Sequence, residues 1–170
     1  EILEVTVPDH TVLRDLLGTI LRGEAAGIHA EWLTTRRDDY AAEVRTRIEA
    51  GLYLPAVRYL EAMRLRPLML REFLDTVFDK VDVLHVPGLA VAVPTLADTD
   101  AAASGDALGL NEQLAWCTRA ASYLGVPSLA VPCGFADGGL PVGFQLMGRP
   151  FAEDRLLRLG HVYQRATAWH

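Results

Sequence analysis

The chain has little that could cross-link it, anchor it in a membrane or bind a polyanion. Its two cysteines among 170 residues, Cys117 and Cys133, are too few for a disulfide framework. No apolar run reaches the roughly 18 to 20 residues that span a bilayer, and residues 1–8 lack the basic start of a signal peptide. The formal charge of −6 leaves no basic patch for a phosphate backbone. We therefore expect a cytoplasmic protein without direct contact to nucleic acid or membrane.

Residues that carry nucleophilic, metal or phosphate chemistry are also scarce. None of the three serines lies in a Gly-x-Ser-x-Gly turn. The single lysine, Lys80, stands close to two aspartates, where an exposed, ion-paired side chain is expected. The histidines show no i,i+4 pairing and the cysteines no zinc spacing, so no metal site is predicted. The glycines form no phosphate-binding fingerprint, so no cofactor is predicted.

Apolar residues are abundant, at 51%, which is enough to bury the core of about one domain. A β-rich run at residues 2–7 predicts a first strand. From Val12 onward, apolar residues at helical spacing predict a helix. The mostly charged residues 38–50 predict a surface helix, for which Gly51 would supply a left-handed stop.

The middle of the chain is predicted to be helical, then extended. An amphipathic stretch from Ala56 to Phe78 predicts a helix that Pro67 kinks or splits in two. Residues 81–87 predict a buried strand, and residues 88–109 predict a loop of a length that is usually functional or disordered.

The last third predicts a helix over residues 111–124, a hairpin and a closing helix. Two apolar runs, 128–132 and 142–147, flank the Gly138-Gly139 turn and form the hairpin. The closing helix spans residues 153–166, with acidic residues in its first turn. Because helices and strands alternate along the chain, we expect an α/β fold in which helices pack on a mixed sheet.

Several segments between Tyr59 and His170 form a pattern in a fixed order. They are Tyr59-Leu60-Glu61-Ala62 with Arg66, Phe78-Asp79-Lys80-Val81-Asp82-Val83-Leu84, Thr118-Arg119-Ala120-Ala121-Ser122, Leu124-Gly125-Val126-Pro127-Ser128-Leu129-Ala130-Val131-Pro132-Cys133-Gly134 and Gly139-Leu140-Pro141-Val142-Gly143-Phe144-Gln145-Leu146-Met147-Gly148. In this order and at this spacing they resemble the C-terminal half of the amidase signature family. That family comprises serine hydrolases of amide bonds and includes the A subunit of glutamyl-tRNA amidotransferase.

The resemblance implies a partial amidase signature fold of the α/β/α type. For the intact enzyme it implies cleavage of a carboxylic amide by acyl transfer to a serine and then to water. The family's serine, cis-serine and lysine triad normally precedes the matched region, and nothing in this chain matches it. Residues 1–170 are therefore expected to be the C-terminal portion of a single amidase domain, without the catalytic N-terminal half and inactive alone. The start at Glu1 and the end at Trp169-His170 are expected for a piece of a longer polypeptide.

Such a half is expected to form a wall of the channel that binds a small-molecule amide. The candidate substrate-binding residues are Thr118, Arg119, Cys133 and Gly134, together with the loop after Val86, and no catalytic residue is assigned. Arg119 could pair with an acidic group of the substrate, although an arginine on a helix surface is usually only solvated. Cys133 could face a ligand at the end of its strand, although a buried structural thiol is more frequent.

Two alternatives remain open at this point. The missing catalytic residues also suit a non-catalytic binding subunit or pseudoenzyme domain. An A subunit of an aminoacyl-tRNA amidotransferase would instead pass ammonia to an acyl-tRNA bound by a partner. In the enzyme hypotheses the partner is the missing N-terminal half; without it, an open sheet edge and an uncovered apolar face predict self-association into a homo-oligomer.

Overall fold

A computed structural model describes residues 1–103, 110 and 113–169. The α-helices are α1 (His10–Thr35), α2 (Ala42–Glu49), α3 (Ala56–Phe73), α4 (Leu96–Ala103), α5 (Arg119–Leu124) and α6 (Glu153–Ala166). The strands are β1 (Leu84–Pro87), β2 (Ser128–Phe135) and β3 (Pro141–Met147). Short 3-10 helices occupy Arg37–Asp39, Ala50–Tyr53 and Trp116–Thr118, and a π-helical turn, Leu74–Phe78, continues α3. None of the helices among these residues is both long enough and apolar enough to cross a membrane.

The strands form one sheet in the order β1-β3-β2, and β3 is antiparallel to both neighbours. The predicted hairpin joins β2 to β3. Its turn places Gly138 and Gly139 at φ values of 85° and 76°, in the left-handed region that glycine adopts at little cost. The predicted mixed sheet is wrong for the described residues. β1 and β2 run in the same direction, but each pairs only with β3, so both strand pairs of the described sheet are antiparallel.

Helices cover both faces of the sheet. On one face α1, α3 and α5 bury the larger core, which Leu84 and Met147 of the sheet join. On the other face Leu156 of α6 packs with Val131 and Leu146. The predicted α/β class, with helices on a sheet in a partial α/β/α arrangement, is confirmed.

The predicted strands differ from the observed ones at two places. Residues 2–7 form no strand: Val5 and Val7 pack on the larger core, but the backbone of this segment is not paired into the sheet. β1 begins at Leu84 rather than Val81. The backbone amide of Val81 still donates to the carbonyl oxygen of Val77, 3.2 Å away, so this residue is hydrogen-bonded to the preceding helical turn rather than to the sheet.

Gly51 is not the predicted left-handed helix stop. It lies inside the 3-10 helix that follows α2, and its φ is not positive. An added Cβ at Gly51 would lie 1.9 Å from the carbonyl oxygen of Arg22 on α1. Glycine is therefore required here by the close approach of two helices rather than by a turn.

α3 is one continuous α-helix through Pro67, so of the two predicted effects of this proline the split is wrong and the kink stays a prediction. Proline removes one backbone hydrogen bond from a helix. Ala62 before it and Phe73 after it are both buried in the larger core. This packing holds both halves of the helix against the same neighbours.

The stretch predicted as a loop over residues 88–109 contains α4. Thr95 and Asp98 form a capping box at its start: the Asp98 amide donates to the Thr95 hydroxyl at 3.1 Å, and the Thr95 amide donates to the Asp98 carboxylate at 3.0 Å. Two hydrogen bonds that Thr95 donates to the Asp98 carboxylate lower the pKa of this carboxyl group. The bond from the Thr95 side chain contributes more than the bond from its backbone amide. This Thr-x-x-Asp spacing is the sequence signal for the helix.

The helix predicted over residues 111–124 is divided. Its described part consists of helical residues 113–115, the 3-10 helix Trp116–Thr118 and α5, which ends as predicted at Gly125 with a φ of 72°. The remainder of this prediction, residues 111 and 112, and the end of the predicted loop, residues 104–109, lie outside the described residues.

Candidate functional site

Thr118 and Arg119, two of the four candidate residues, line the same cavity. We call it the arginine cavity; its volume is about 650 Å³. Its lining residues are Leu17, Gly18, Leu21, Arg22, Arg47, Leu114, Ala115, Thr118, Arg119 and Ser122. They come together because α1 packs against both α2 and α5.

The start of α5 presents Thr118 and Arg119 to the arginine cavity. Thr118 closes the preceding 3-10 helix, where its hydroxyl donates to the carbonyl oxygen of Ala115 at 3.0 Å. Further along α5, the buried hydroxyl of Tyr123 donates to the carbonyl oxygen of Ala62 at 2.7 Å. This hydrogen bond ties one face of α5 to α3 and leaves its first residues at the cavity.

The described lining of the arginine cavity is cationic, although the chain as a whole is acidic. Arg22, Arg47 and Arg119 line it, and no carboxylate does so among the described residues. Arg22 and Arg47 form no ion pair with any described residue, whereas Arg45, on the same helix as Arg47, lies 3.7 Å from Asp38. Because a guanidinium presents parallel N–H donors that match a carboxylate, this arrangement suits an anionic group.

A buried glutamine ties the arginine cavity to the sheet. Gln145 lies on β3 and is only 5% exposed. Its Nε2 donates to the carbonyl oxygens of Pro87, at 3.3 Å, and Cys117, at 3.2 Å. Its Oε1 accepts a hydrogen bond from the Ser128 hydroxyl at 3.1 Å. One side chain thus connects the end of β1, the start of β2 and the 3-10 turn at Cys117, directly before Thr118.

A second cavity has a volume of about 410 Å³ and is mainly apolar; we call it the apolar cavity. Its lining residues are Gly88, Leu89, Val91, Val93, Ala130, Val131, Pro132, Pro141, Val142, Gly143 and Phe144. One wall is therefore the loop after Val86, and the other walls belong to β2 and β3.

Cys133 and Gly134 lie on β2 and line neither cavity. The pairing of β2 with β3 shifts between Pro132 and Gly134, which makes Cys133 the extra residue of a β-bulge. Gly134 has a φ of 144°, and the Trp169 ring would lie 3.9 Å from a Cβ added to it. The four candidates therefore form two pairs, one at the arginine cavity and one at the bulge, and are not brought into one cavity.

The described lining of the arginine cavity includes one serine but no base for it. The Ser122 hydroxyl donates to the carbonyl oxygen of Thr118 at 3.2 Å, within its own helix, and no histidine or lysine lines the cavity. Burial raises the pKa of the nearby Cys117 thiol, which lowers the thiolate fraction that a nucleophile needs. No cluster of histidine, cysteine and carboxylate side chains suited to a metal ion occurs in the described part of the chain. The described lining of this cavity thus suits an anion and supplies no activated nucleophile.

Lys80 is exposed, as predicted, but the predicted pairing with its neighbours is wrong. Asp79 binds Arg149, with 3.1 Å between the guanidinium and the carboxylate, and Asp82 binds Arg155. Two arginines that follow β3 in the chain therefore form the ion pairs with these two aspartates. Lys80 lines neither the arginine cavity nor the apolar cavity.

Three residues of this region, Arg22, Arg47 and Gln145, are not predicted from the sequence as site residues. The two arginines lie on separate helices with ordinary charged faces, and only the packing of α1 on α2 brings them to one cavity. Gln145 does carry a signal: it is a polar residue inside an apolar strand and within the last matched segment.

The fold and these cavities define an α/β protein with a candidate ligand-binding site beside its sheet. The sequence model of the family Amidase matches residues 2–157. The chain therefore belongs to the amidase family, and the resemblance found in its sequence is confirmed.

Relatives and solved structures agree with this assignment. The A subunit of glutamyl-tRNA(Gln) amidotransferase from Chloroflexus aggregans is 43% identical over 141 residues, which cover 80% of this chain and 28% of that protein. Its counterpart from Moorella thermoacetica is 36% identical over 155 residues, covering 88% and 30%. A crystal structure of an amidase matches with a TM-score of 0.84 and 28% identity, over 99% of this chain and 38% of the other. The chain thus spans less than two fifths of the length of each of these proteins.

Proposed function

We propose that this chain is the C-terminal portion of an amidase domain and forms the substrate-binding wall of a cytoplasmic enzyme that cleaves carboxylic amides. The observation that supports this most strongly is the family match over residues 2–157, combined with a cavity that has cationic side chains but no attacking group in its described lining. The serine, cis-serine and lysine implied by the resemblance would come from the N-terminal half. This chain alone would then bind the amide without hydrolysing it.

The substrate class that suits the arginine cavity is an amide that also carries a carboxylate. A carboxylate can accept parallel hydrogen bonds from a guanidinium, and hydrogen bonds to charged groups contribute roughly 1.5 to 3 kcal/mol. Arg47 lines the cavity from α2, whereas Thr118 and Arg119 line it from the junction of the 3-10 helix and α5. A carboxylate held between these elements would fix one end of the substrate and direct its amide toward the catalytic half.

A calorimetric titration with succinamate, which carries one carboxylate and one primary amide, tests this proposal. Arg47→Ala should weaken the affinity of the chain for succinamate by roughly 10- to 100-fold, because it removes a charge-assisted hydrogen-bond donor. Arg47→Lys should fall between Arg47→Ala and wild type, since lysine keeps the charge but loses the planar fork.

Arg45→Ala is the matched control for Arg47→Ala. Arg45 lies on the same helix but faces Asp38, so its removal should change the affinity by no more than about twofold. Succinamide, which lacks the carboxylate, should bind more weakly than succinamate. Equal affinities for the two ligands, or equal losses in the two alanine variants, would contradict a carboxylate site.

A second candidate function is that of an A subunit of a glutamyl-tRNA amidotransferase. The 43% identity to such a protein from Chloroflexus aggregans favours it. In that case the ammonia released from the amide would pass to an aminoacyl-tRNA held by a partner. Amide cleavage by the longer protein would then increase when its partner subunits and acyl-tRNA are added, whereas cleavage by a stand-alone amidase would not.

A further inference from the structure

We propose that Gln145 is a positioning residue. It fixes the 3-10 turn at Cys117, directly before Thr118, against the sheet and so sets the shape of the arginine cavity. The part of this inference that concerns ligand affinity rests on the proposed function. The part that concerns the turn rests on the hydrogen bonds of Gln145 alone and can be tested without a ligand.

Both hydrogens of the Gln145 amide are used within the protein. One points to Pro87 at the end of β1 and the other to Cys117 in the 3-10 helix, and these two carbonyl groups belong to segments 30 residues apart in the chain. The hydroxyl of Ser128 donates to the oxygen of the same amide, and the two carbonyl contacts do not depend on this hydrogen bond. Since the side chain is 5% exposed, water has little access to replace it as a donor.

The two carbonyl groups held by Gln145 adjoin the walls of both cavities. Pro87 directly precedes Gly88, which lines the apolar cavity, and Cys117 directly precedes Thr118, which lines the arginine cavity. The side chain of Gln145 thus links a residue that adjoins one cavity to a residue that adjoins the other, and so couples the position of one wall to that of the other. Its loss should release the turn locally while the strands stay paired through their backbone.

Cysteine labelling measures this release without a ligand. The chain is treated with N-ethylmaleimide, and the modification of Cys117 and Cys133 is followed separately by mass spectrometry. Gln145→Met keeps the side-chain length but has no N–H donor, so we expect the rate at Cys117 to rise about tenfold. The rate at Cys133, on the neighbouring strand, should stay within about twofold. Ser128→Ala keeps both amide donors and should leave both rates near those of wild type.

The outcomes separate this inference from the proposed function. A selective rise at Cys117, with weaker succinamate binding by Gln145→Met, supports the inference. No rise, or an equal rise at both cysteines, overturns it, because the role would then be absent or only that of general packing. A selective rise with unchanged succinamate affinity overturns the claim that the turn sets the cavity. If wild type does not bind succinamate, the proposed function fails while the labelling still decides whether Gln145 holds the turn.

Gln145→Asn serves as the second variant should Gln145→Met not fold. Asparagine remains polar but is one methylene shorter, so it reaches at most one of the two carbonyl groups. The same selective rise at Cys117 is expected from it, and equal labelling of both cysteines would again contradict the inference.

Discussion

Replacing Phe73 with alanine is expected to lower the free energy of unfolding by about 3 to 5 kcal/mol, the range for removing a buried aromatic ring. Phe73 lies at the end of α3, is 1% exposed, and packs edge-to-face with Phe78 at 5.8 Å between ring centroids. Alanine would leave a cavity at the place where α3 joins the larger core. Urea denaturation followed by circular dichroism measures the loss.

Leu68→Ala is the control on the same helix. Leu68 is 56% exposed, so truncating it removes little buried surface and should cost less than about 1 kcal/mol. Similar losses in Phe73→Ala and Leu68→Ala would show that this end of α3 is not the part that enters the core.

The second large effect concerns two glycines at which the same substitution, glycine to alanine, should change the stability of the protein in opposite directions. A Cβ added at Gly143, on β3, would lie 2.8 Å from the carbonyl oxygen of Val131 on β2. The strands must separate to admit it, so Gly143→Ala should destabilise the protein by about 1 to 3 kcal/mol. A Cβ added at Gly27, inside α1, meets nothing within 4 Å, so Gly27→Ala should stabilise the protein by about 0.5 to 1 kcal/mol.

Thermal unfolding of the two glycine variants beside wild type checks this prediction. The melting temperature should fall for Gly143→Ala and rise for Gly27→Ala. A shift of the same sign in both variants would contradict the close approach of β2 and β3 at Gly143.

Local signals in the sequence predicted much of the fold. Gly138-Gly139 between two apolar runs predicted the hairpin, and α6 has the predicted bounds of 153–166. Interactions between distant segments account for the errors. Residues 2–7 have the composition of a strand, but strand formation also needs a partner in register, which composition does not reveal. The sequence indicates that a glycine is needed at position 51. The reason, which is the close approach of the α1 backbone at Arg22, appears only in the structure.

The candidate site was predictable only in part. Thr118 and Arg119 lie in a matched segment and do line a cavity, whereas Cys133 and Gly134 of another matched segment lie at a bulge instead. Arg47 could not be singled out, because an exposed arginine on a charged helix has the same local pattern whether it faces solvent or a cavity. Its position depends on how α1 and α2 pack.

The most direct test of the account is the release of ammonia from succinamate by the purified chain at a concentration that saturates binding. Wild type and Cys133→Ala should both bind succinamate, and neither should release ammonia above the rate without protein, because the attacking group is proposed to lie in the other half of the domain. Ammonia release by wild type that Cys133→Ala abolishes would contradict the account, since the nucleophile would then belong to this chain.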